Sequence, residues 1–431
     1  MGQCRPRSLS TAIVGWCALC FSILSAVASL PDGSFPSSFG TNIHFTQPRQ
    51  YEMEQLASTG LKWVRMDFSW ASIETAKGVY DFTSYDVLVG ALLDHNMSAI
   101  FILDYMNPLY DGGLSPYTEE GRRAFSSWAA NATLHFAGKG IVWEVYNEPN
   151  INVFWHPSPN ATNYALLAKA ASAAIKEATP SEIVVAPATS CIDFDYLDAI
   201  FSPPLSLLDS LDGVSVHPYR DTPPETAMGD WQQLRALVEK YAKGRHIPLL
   251  SSEWGYSSLY PGWDRETQAK VAVRMFLVNA ASNVSLSIWY DWQNDGTDYL
   301  NLEHHFGLVF NPYLGEEGRA LMPKPSFHAV QTAMAVLDGY RFVERVDAGD
   351  DDAYVFHLQA SPSSGRTGML AVWTPNESRI PLKTTFKLPL SSPKCVGVTS
   401  MFGDALPALC PDSSMVVTFP LDNGVVFLGP F

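Results

Sequence analysis

The stretch "WEVYNEPN", residues 143–150, closes an apolar run with a glutamate set between an asparagine and a proline. A carboxylate at the end of a buried strand gives up hydration, so its presence calls for a chemical reason. Pro149 biases Glu148 towards an extended backbone and stops the strand, which predicts a side chain held on a rigid element at a rim. Glu144 lies four residues earlier with the same parity, about 13 Å deeper at ~3.3 Å per residue. A charge at that depth needs a basic partner, and Arg65 is the candidate. A second glutamate of the same kind stands in "PLLSSEWGYS", residues 248–257, where Glu253 follows an apolar run and precedes Trp254 and Gly255.

Outward from these two stretches, short β-branched or aromatic runs recur at 39–46, 61–68, 98–105, 141–148, 182–190, 213–219, 248–253 and 285–292. Longer alanine- and leucine-rich stretches of helical period separate them, such as "NYALLAKAASAAIKEA" (163–178) and "QAKVAVRMFLVNAA" (268–281). The alternation predicts a parallel sheet, and eight runs are the number that closes a (β/α)8 TIM barrel. An open doubly wound sheet is the alternative, but no Gly-rich phosphate loop follows the first run. After a last helix at 326–337 the pattern changes to strands without helices: "YRFVERV", "AYVFHLQA", "GMLAVWT", "TTFKLPL", "MVVTFPL" and "GVVFLGPF". These predict a C-terminal all-β sandwich domain, either a sugar-binding module or a packing module for the barrel. The expected organisation is a signal peptide at 1–28, a catalytic barrel at 29–338 and the β-sandwich at 339–431.

The signal is read from Arg5 and Arg7, the apolar stretch 11–28 and the small-residue pattern Ala26-Val27-Ala28, with cleavage before Ser29. A retained signal anchor is the competing reading, because the stretch is almost long enough to span a bilayer. Sequons at Asn96, Asn131, Asn160, Asn283 and Asn376 suit a secreted glycoprotein. The mature chain would keep three cysteines: Cys395 and Cys410, which can close a short disulfide loop, and Cys191, expected as a buried thiol. With 28 Lys+Arg against 44 Asp+Glu and no basic run in the body of the chain, nucleic acid is a poor partner, whereas neutral or cationic partners fit. Oligomeric state is not legible.

Two carboxyl groups facing each other across a barrel mouth are what glycosidic bond hydrolysis needs, one to protonate the leaving oxygen and one to attack the anomeric carbon or activate water. Around them fall Arg65 at the end of run two, His217-Pro218-Tyr219 at the end of run six and Trp289 on run eight. In this set and order the barrel resembles clan A retaining glycoside hydrolases. "FGTNIHF", "WVRMDFSW", "FILDYMNPLYDGG" and "IWYDWQNDG" resemble family 39 and cellulase-like members of family 5 most, and the all-β appendage also fits family 39. The resemblance implies a secreted retaining β-glycosidase without cofactor, its two carboxyl groups about 5 Å apart. Glu148 would be acid/base and Glu253 nucleophile. Asn147 would bind the sugar 2-hydroxyl, Tyr219 would orient Glu253, Arg65 would keep a neighbouring carboxylate ionised, and Trp289 would offer a ring face to the sugar. Without the resemblance, a satisfied core His217, a core Trp289 and a structural Arg65 are the lesser alternatives.

His44, Asp67, Trp70, Asp104, Tyr105 and Asp291 also fall near strand ends, where each could bind sugar hydroxyls or be structural. Exposed Trp155 and Trp263 rings, in the loops after runs four and seven, would make stacking subsites. "EHH", residues 303–305, lacks the spaced ligand set of a metal site. A transglycosylase would use the same covalent intermediate, and a catalytically silent carbohydrate-binding barrel is the rival outside enzymes. The sugar, and endo against exo action, stay open.

Overall fold

In the computed structural model, which describes residues 29–49, 51–261, 263–296, 298–311, 321–389 and 394–431, the eight runs form one closed parallel barrel. The signal-or-anchor segment 1–28 lies outside the described residues. The strands are β1 (Phe39–Asn42), β2 (Trp63–Ser69), β3 (Ser98–Asp104), β4 (Ile141–Val145), β5 (Ile183–Ser190), β6 (Gly213–His217), β7 (Leu249–Trp254) and β8 (Leu286–Trp289). The barrel closes where β1 meets β8, with Phe39 opposite Ser287 and Gly40 opposite Ile288. A Cβ on Gly40 would stand 2.3 Å from the Trp63 carbonyl oxygen of β2, so only glycine permits this approach of β1 to β2.

The described helices are α1 (Glu52–Ser58), α2 (Trp70–Ile73), α3 (Thr83–Asp94), α4 (Glu119–His135), α5 (Ala161–Ala178), α6 (Phe194–Phe201), α7 (Ala227–Tyr241), α8 (Arg265–Ala281) and α9 (Pro325–Val336). Four of them start on side-chain caps: Thr118, Asn160, Asp193 and Asp264 each accept a hydrogen bond from the backbone N–H three residues on. Each such cap contributes about 1 kcal/mol. Helix α8 is buried along nearly its whole length, because the barrel covers one side and the C-terminal domain the other.

Several strands are shorter than their apolar runs. Strand β4 stops at Val145, because Tyr146 and Glu148 take left-handed backbone (φ 70° and 44°) that no strand continues. The extended backbone expected for Glu148 is therefore not found. Strands β6 and β8 end at His217 and Trp289, so the residues beyond them belong to the mouth.

The C-terminal domain contains a six-stranded antiparallel sheet in the order β14-β13-β16-β11-β10-β9, and a two-stranded sheet β12-β15. Its strands are β9 (Tyr340–Arg345), β10 (Tyr354–Ala360), β11 (Met369–Trp373), β12 (Leu382–Lys387), β13 (Val396–Ser400), β14 (Ala405–Leu409), β15 (Val416–Leu421) and β16 (Val426–Leu428). The sequence pattern misses β13 and β14. Strand β14 carries Pro407 and is exposed on both faces, so it shows no alternation. The disulfide Cys395–Cys410 ties the outer ends of these two strands, as the cysteine spacing allows. Cys191 differs from its expectation: it follows β5 with φ 57° and is exposed.

One face of the large sheet packs with β12 and β15 around Val355, Leu370, Val372, Phe386 and Val417. The other face, with Phe356, Leu358, Ala371, Trp373 and Phe427, merges with the core around the barrel. A polar clamp is buried in this joint. Glu225 accepts 2.7 Å bonds from Nε and Nη2 of Arg274 on α8, and a 2.6 Å bond from Nε1 of Trp373 on β11. Removing one partner of such a pair strands the other charge. Glu225→Ala should cost about 3–5 kcal/mol, whereas Lys240→Ala, which breaks an exposed, solvent-screened pair with Asp198, should leave the urea midpoint nearly unchanged. Urea unfolding of the two variants tests this, and similar midpoints would show that the clamp does not tie the domains.

Candidate active site

Arg65 is the third residue of β2, not its last, and is 1% exposed. Its guanidinium holds four partners around the barrel's upper interior. Nε donates to Glu144 Oε2 at 2.7 Å, Nη1 to Glu253 Oε2 at 2.5 Å, and Nη2 to Asn147 Oδ1 at 2.8 Å. Nη2 also faces His217 Nε2 at 3.2 Å. Arginine only donates, so His217 Nε2 accepts and the ring proton sits on Nδ1. That Nδ1–H donates to Glu148 Oε1 at 2.8 Å. The Tyr219 hydroxyl donates to Glu253 Oε1 at 2.8 Å.

The carboxylates of Glu148 and Glu253 are thus positioned through one cation. An oxygen of each, with a ring nitrogen of His217, lie within 4.8 Å of one another. Burial works against the Glu144 charge, but the Arg65 guanidinium outweighs it and holds this carboxyl below its usual value. Glu144 has the partner expected for it, yet it is not a remote charge. The left-handed turn at Tyr146 folds the chain back, so Glu144 and Asn147 bind the same guanidinium. Gly255, just past β7, permits a further close approach: a Cβ there would meet the Tyr290 carbonyl oxygen at 1.9 Å.

His44, beyond β1, faces Asp291 at 3.5 Å and Asp295 at 3.7 Å. Burial would lower the His44 imidazole, but the hydrogen bond and charge of Asp291 and the charge of Asp295 raise it to about 9. Asp291 is pushed up to about 8, by burial first and then by Asp295, with His44 opposing. Asp104, fully buried at the end of β3 with neither carboxylate oxygen hydrogen-bonded, is raised well above the ordinary carboxylate range, by burial and then by the charge of Asp67. Tyr105 stacks on Phe154 with ring centroids 5.4 Å apart.

Two of the three expected sugar platforms, Trp289 and Trp155, are buried, and of the two readings open for Trp70 the structural one holds. Trp289 is fully buried, its Nε1 donating to the Phe306 carbonyl. Trp155 is buried against Tyr146 and Tyr164. Trp70 is buried, bonded to Glu74 and stacked on Tyr110. Trp263 is half-buried and stacks on Tyr256. The ring at the mouth is instead Tyr290, one residue past β8, between His44 (5.7 Å) and Phe306 (5.6 Å), its hydroxyl donating to Asp295 at 2.9 Å. Parity along run eight favours Trp289, and only the end of the strand there turns the next ring inward. Asp295 and Glu303 were also missed, because they sit on the β8 loop outside any strand.

His44, Asp291 and Asp295 have ligating atoms close enough to hold a cation. Glu148, His217 and Glu253 are equally close, but their bonds to one another, Arg65 and Tyr219 already engage them. Among the described residues, Glu303, His304 and His305 join no such group.

No protein-family model matches this sequence, and no curated protein matches it. Solved structures do match. A family 39 glycoside hydrolase from the gut symbiont Bacteroides cellulosilyticus WH2 is similar over 94% of this chain and 82% of that one, with TM-score 0.76 and 21% identity. A monomeric beta-xylosidase from Caulobacter crescentus CB15 follows over 93% and 97%, with TM-score 0.64 and 18% identity. A family 30 subfamily 8 xylanase from Clostridium acetobutylicum matches over 93% and 97%, with TM-score 0.62 and 12% identity. At these identities the likeness is one of fold: the chain has the architecture of clan A glycoside hydrolases and resembles family 39.

The raised groups carry a pH dependence. The folded state holds the Asp104 proton more tightly than the unfolded chain does. That contribution to stability is complete below the ordinary carboxylate range and is lost as pH climbs towards the raised value. The contribution of His44 runs the same way, complete below about 6.5 and lost through about 9. The thermal midpoint should therefore fall between pH 5 and 9. Asp104→Asn, whose amide stays neutral, should reduce that fall by about 2 °C or more; equal slopes in the two proteins would contradict the assignment.

Proposed function

We propose that the chain is a secreted retaining glycoside hydrolase that cleaves β-linked O-glycosidic bonds by double displacement, with Glu253 as nucleophile and Glu148 as acid/base. The observation that carries this reading is the spacing of the two carboxylates, within 4.8 Å at their nearest ligating oxygens. Retaining enzymes need about 5 Å, and inverting ones about 6.5–9.5 Å to admit a water.

The hydrogen bonds suit each role. Both oxygens of Glu253 accept, one from Arg65 and one from Tyr219, which fixes the orientation of the group that attacks an anomeric carbon. Oε1 of Glu148 is occupied by His217, so Oε2 is left to carry the proton. In the first step that proton goes to the glycosidic oxygen, the C–O bond breaks and Glu253 forms an ester with the sugar. In the second, a water gives a proton to Glu148 and its oxygen attacks the same carbon, releasing Glu253. Asn147 spends its Oδ1 on Arg65, so its amide N–H groups remain to donate to the sugar 2-hydroxyl.

Resemblance to a beta-xylosidase and a xylanase supports a β-linked glycan as substrate. Secretion is supported by the N-terminal pattern, the disulfide and the exposure of Asn96, Asn131, Asn160 and Asn283. Asn376 is only partly exposed and donates its amide to Asp352, which makes it the poorest glycan acceptor of the five.

Azide rescue tests the two roles. Glu148→Ala and Glu253→Ala should each lose at least about 10²-fold in kcat/KM on an unactivated β-glycoside. With an activated aryl β-glycoside and azide, Glu148→Ala should still form the glycosyl-enzyme and give the β-glycosyl azide, while Glu253→Ala should give the α-anomer. NMR distinguishes the products. Exchanged anomers would reverse the roles, and wild-type turnover in both variants would refute the reading.

A further inference from the structure

The 3-10 turn Leu302–His305 hangs from the β8 loop and is fastened to its surroundings at every level. Ser257 Oγ donates to the Leu302 carbonyl at 2.8 Å. The His305 carbonyl accepts from Ser258 N, Gln268 Nε2 and Lys324 Nζ, and the Phe306 carbonyl from Gln268 and Trp289. Asn301 Oδ1 caps the turn at Glu303 N. This framework fixes the backbone of Glu303 beside the mouth, with its side chain exposed. Among the described residues its side chain has neither a hydrogen bond nor an ion pair. Its neighbour His304 makes no ion pair with it, its ring nitrogens facing the Asp298 N–H and the Asn301 amide.

The surrounding charge is negative. Phe306, the residue after the turn, lies with its ring centroid 5.6 Å from that of Tyr290 and 6.2 Å from that of Tyr219. Those tyrosines bond Asp295 and Glu253, so the turn stands beside those carboxylates. Burial and the charges of Asp295, Glu253 and Glu148 raise the Glu303 carboxyl accordingly. Arg65 is spent on Glu144 and Glu253, and His44 on Asp291 and Asp295. Lys324 sits buried behind the turn, where burial pushes it down to about 7. Asp291 is fully buried beneath the rim and faces His44 at 3.5 Å, so that imidazole is already engaged from below.

We propose that Glu303, with Asp295, makes this mouth select uncharged or amino-bearing sugar residues and reject those carrying carboxylate or sulfate groups. The inference rests on the glycosidase reading and adds the substrate class. A carboxylate without a bonded counter-ion repels an anion arriving within a few ångströms, and added salt weakens that repulsion. A hydroxyl donates to it, and an ammonium pairs with it. Likeness of fold does not dictate this preference, because the charges lie on a loop and not on the barrel strands.

The test compares kcat/KM for 4-nitrophenyl β-glucoside, β-glucosaminide and β-glucuronide in the wild type, Glu303→Gln and Glu303→Lys. Glu239→Gln, at the far end of α7, serves as a charge control. The wild type should disfavour the glucuronide relative to the glucoside by at least about 100-fold. Glu303→Lys should narrow that ratio by about tenfold or more, Glu303→Gln by less, and Glu239→Gln not at all. Raising ionic strength should narrow it in the wild type. Equal turnover of glucuronide and glucoside, or an unchanged ratio in Glu303→Lys, overturns the proposal. If no glycoside is turned over, the glycosidase reading fails separately, and equilibrium binding read by tryptophan fluorescence decides the charge preference. Glucosamine should then bind more tightly than glucuronate, with the gap narrowed at least about threefold by Glu303→Lys; no such gap, or one that this variant leaves alone, rejects it.

Discussion

Everything at the barrel mouth depends on one buried guanidinium. Arg65 is rigid, planar and always charged, and it reaches two carboxylates, an amide and an imidazole at once. A lysine would put a single point of charge where four separate directions are required. Glu144, otherwise an expensive interior charge, becomes intelligible as the anchor that holds Arg65 upright from below. Because the guanidinium cannot accept, it also sets the His217 tautomer and the Asn147 amide orientation. From those follow the atoms left free on Glu148 and Asn147 for chemistry.

That network sits on strained backbone. Tyr146, Glu148, Ala188 and Cys191 all have positive φ and gather where β4 and β5 end. Each such residue costs about 1–3 kcal/mol unless its surroundings hold it. Here the Glu148 N–H bonds the Ala188 carbonyl at 2.9 Å. Asn150 clamps the two loops by exchanging bonds with the backbone of Ser190 and bonding Asp193. The Tyr164 hydroxyl on α5 holds the last carbonyl of β4. Farther out, the Glu225–Arg274–Trp373 clamp fastens the C-terminal sheet to α8, which supports packing as that domain's role.

The barrel was legible because its eight strands are buried on both sides and therefore read as continuous apolar runs between helices of clear period. The two glutamates stood out against those runs, and Arg65 was recognisable as a partner for Glu144 from the need to neutralise an interior charge. Legibility failed where a side chain's direction depends on the residue that ends the strand. Trp289 and Tyr290 are adjacent aromatics, and nothing local says which ring faces the cleft. Trp155 carries no mark of burial, because it sits in an irregular loop, where no strand or helix period links it to Tyr146 and Tyr164, nine residues away on either side. Strand β14, exposed on both faces, has no pattern to read.

By itself, then, the sequence determined the order of elements, the barrel class, the all-β appendage and the two carboxylates at strand ends, since each rests on periodicity or on a charge within a few residues of an apolar run. Tertiary structure alone decided the spacing of Glu148 and Glu253, the sharing of Arg65, the proton held on Asp104 and the negative rim of Asp295 and Glu303. Those properties arise from atoms brought within a few ångströms by strands and loops far apart in the chain. Electrostatic and hydrogen-bond energies at such contacts depend on distance and burial, which no local pattern encodes.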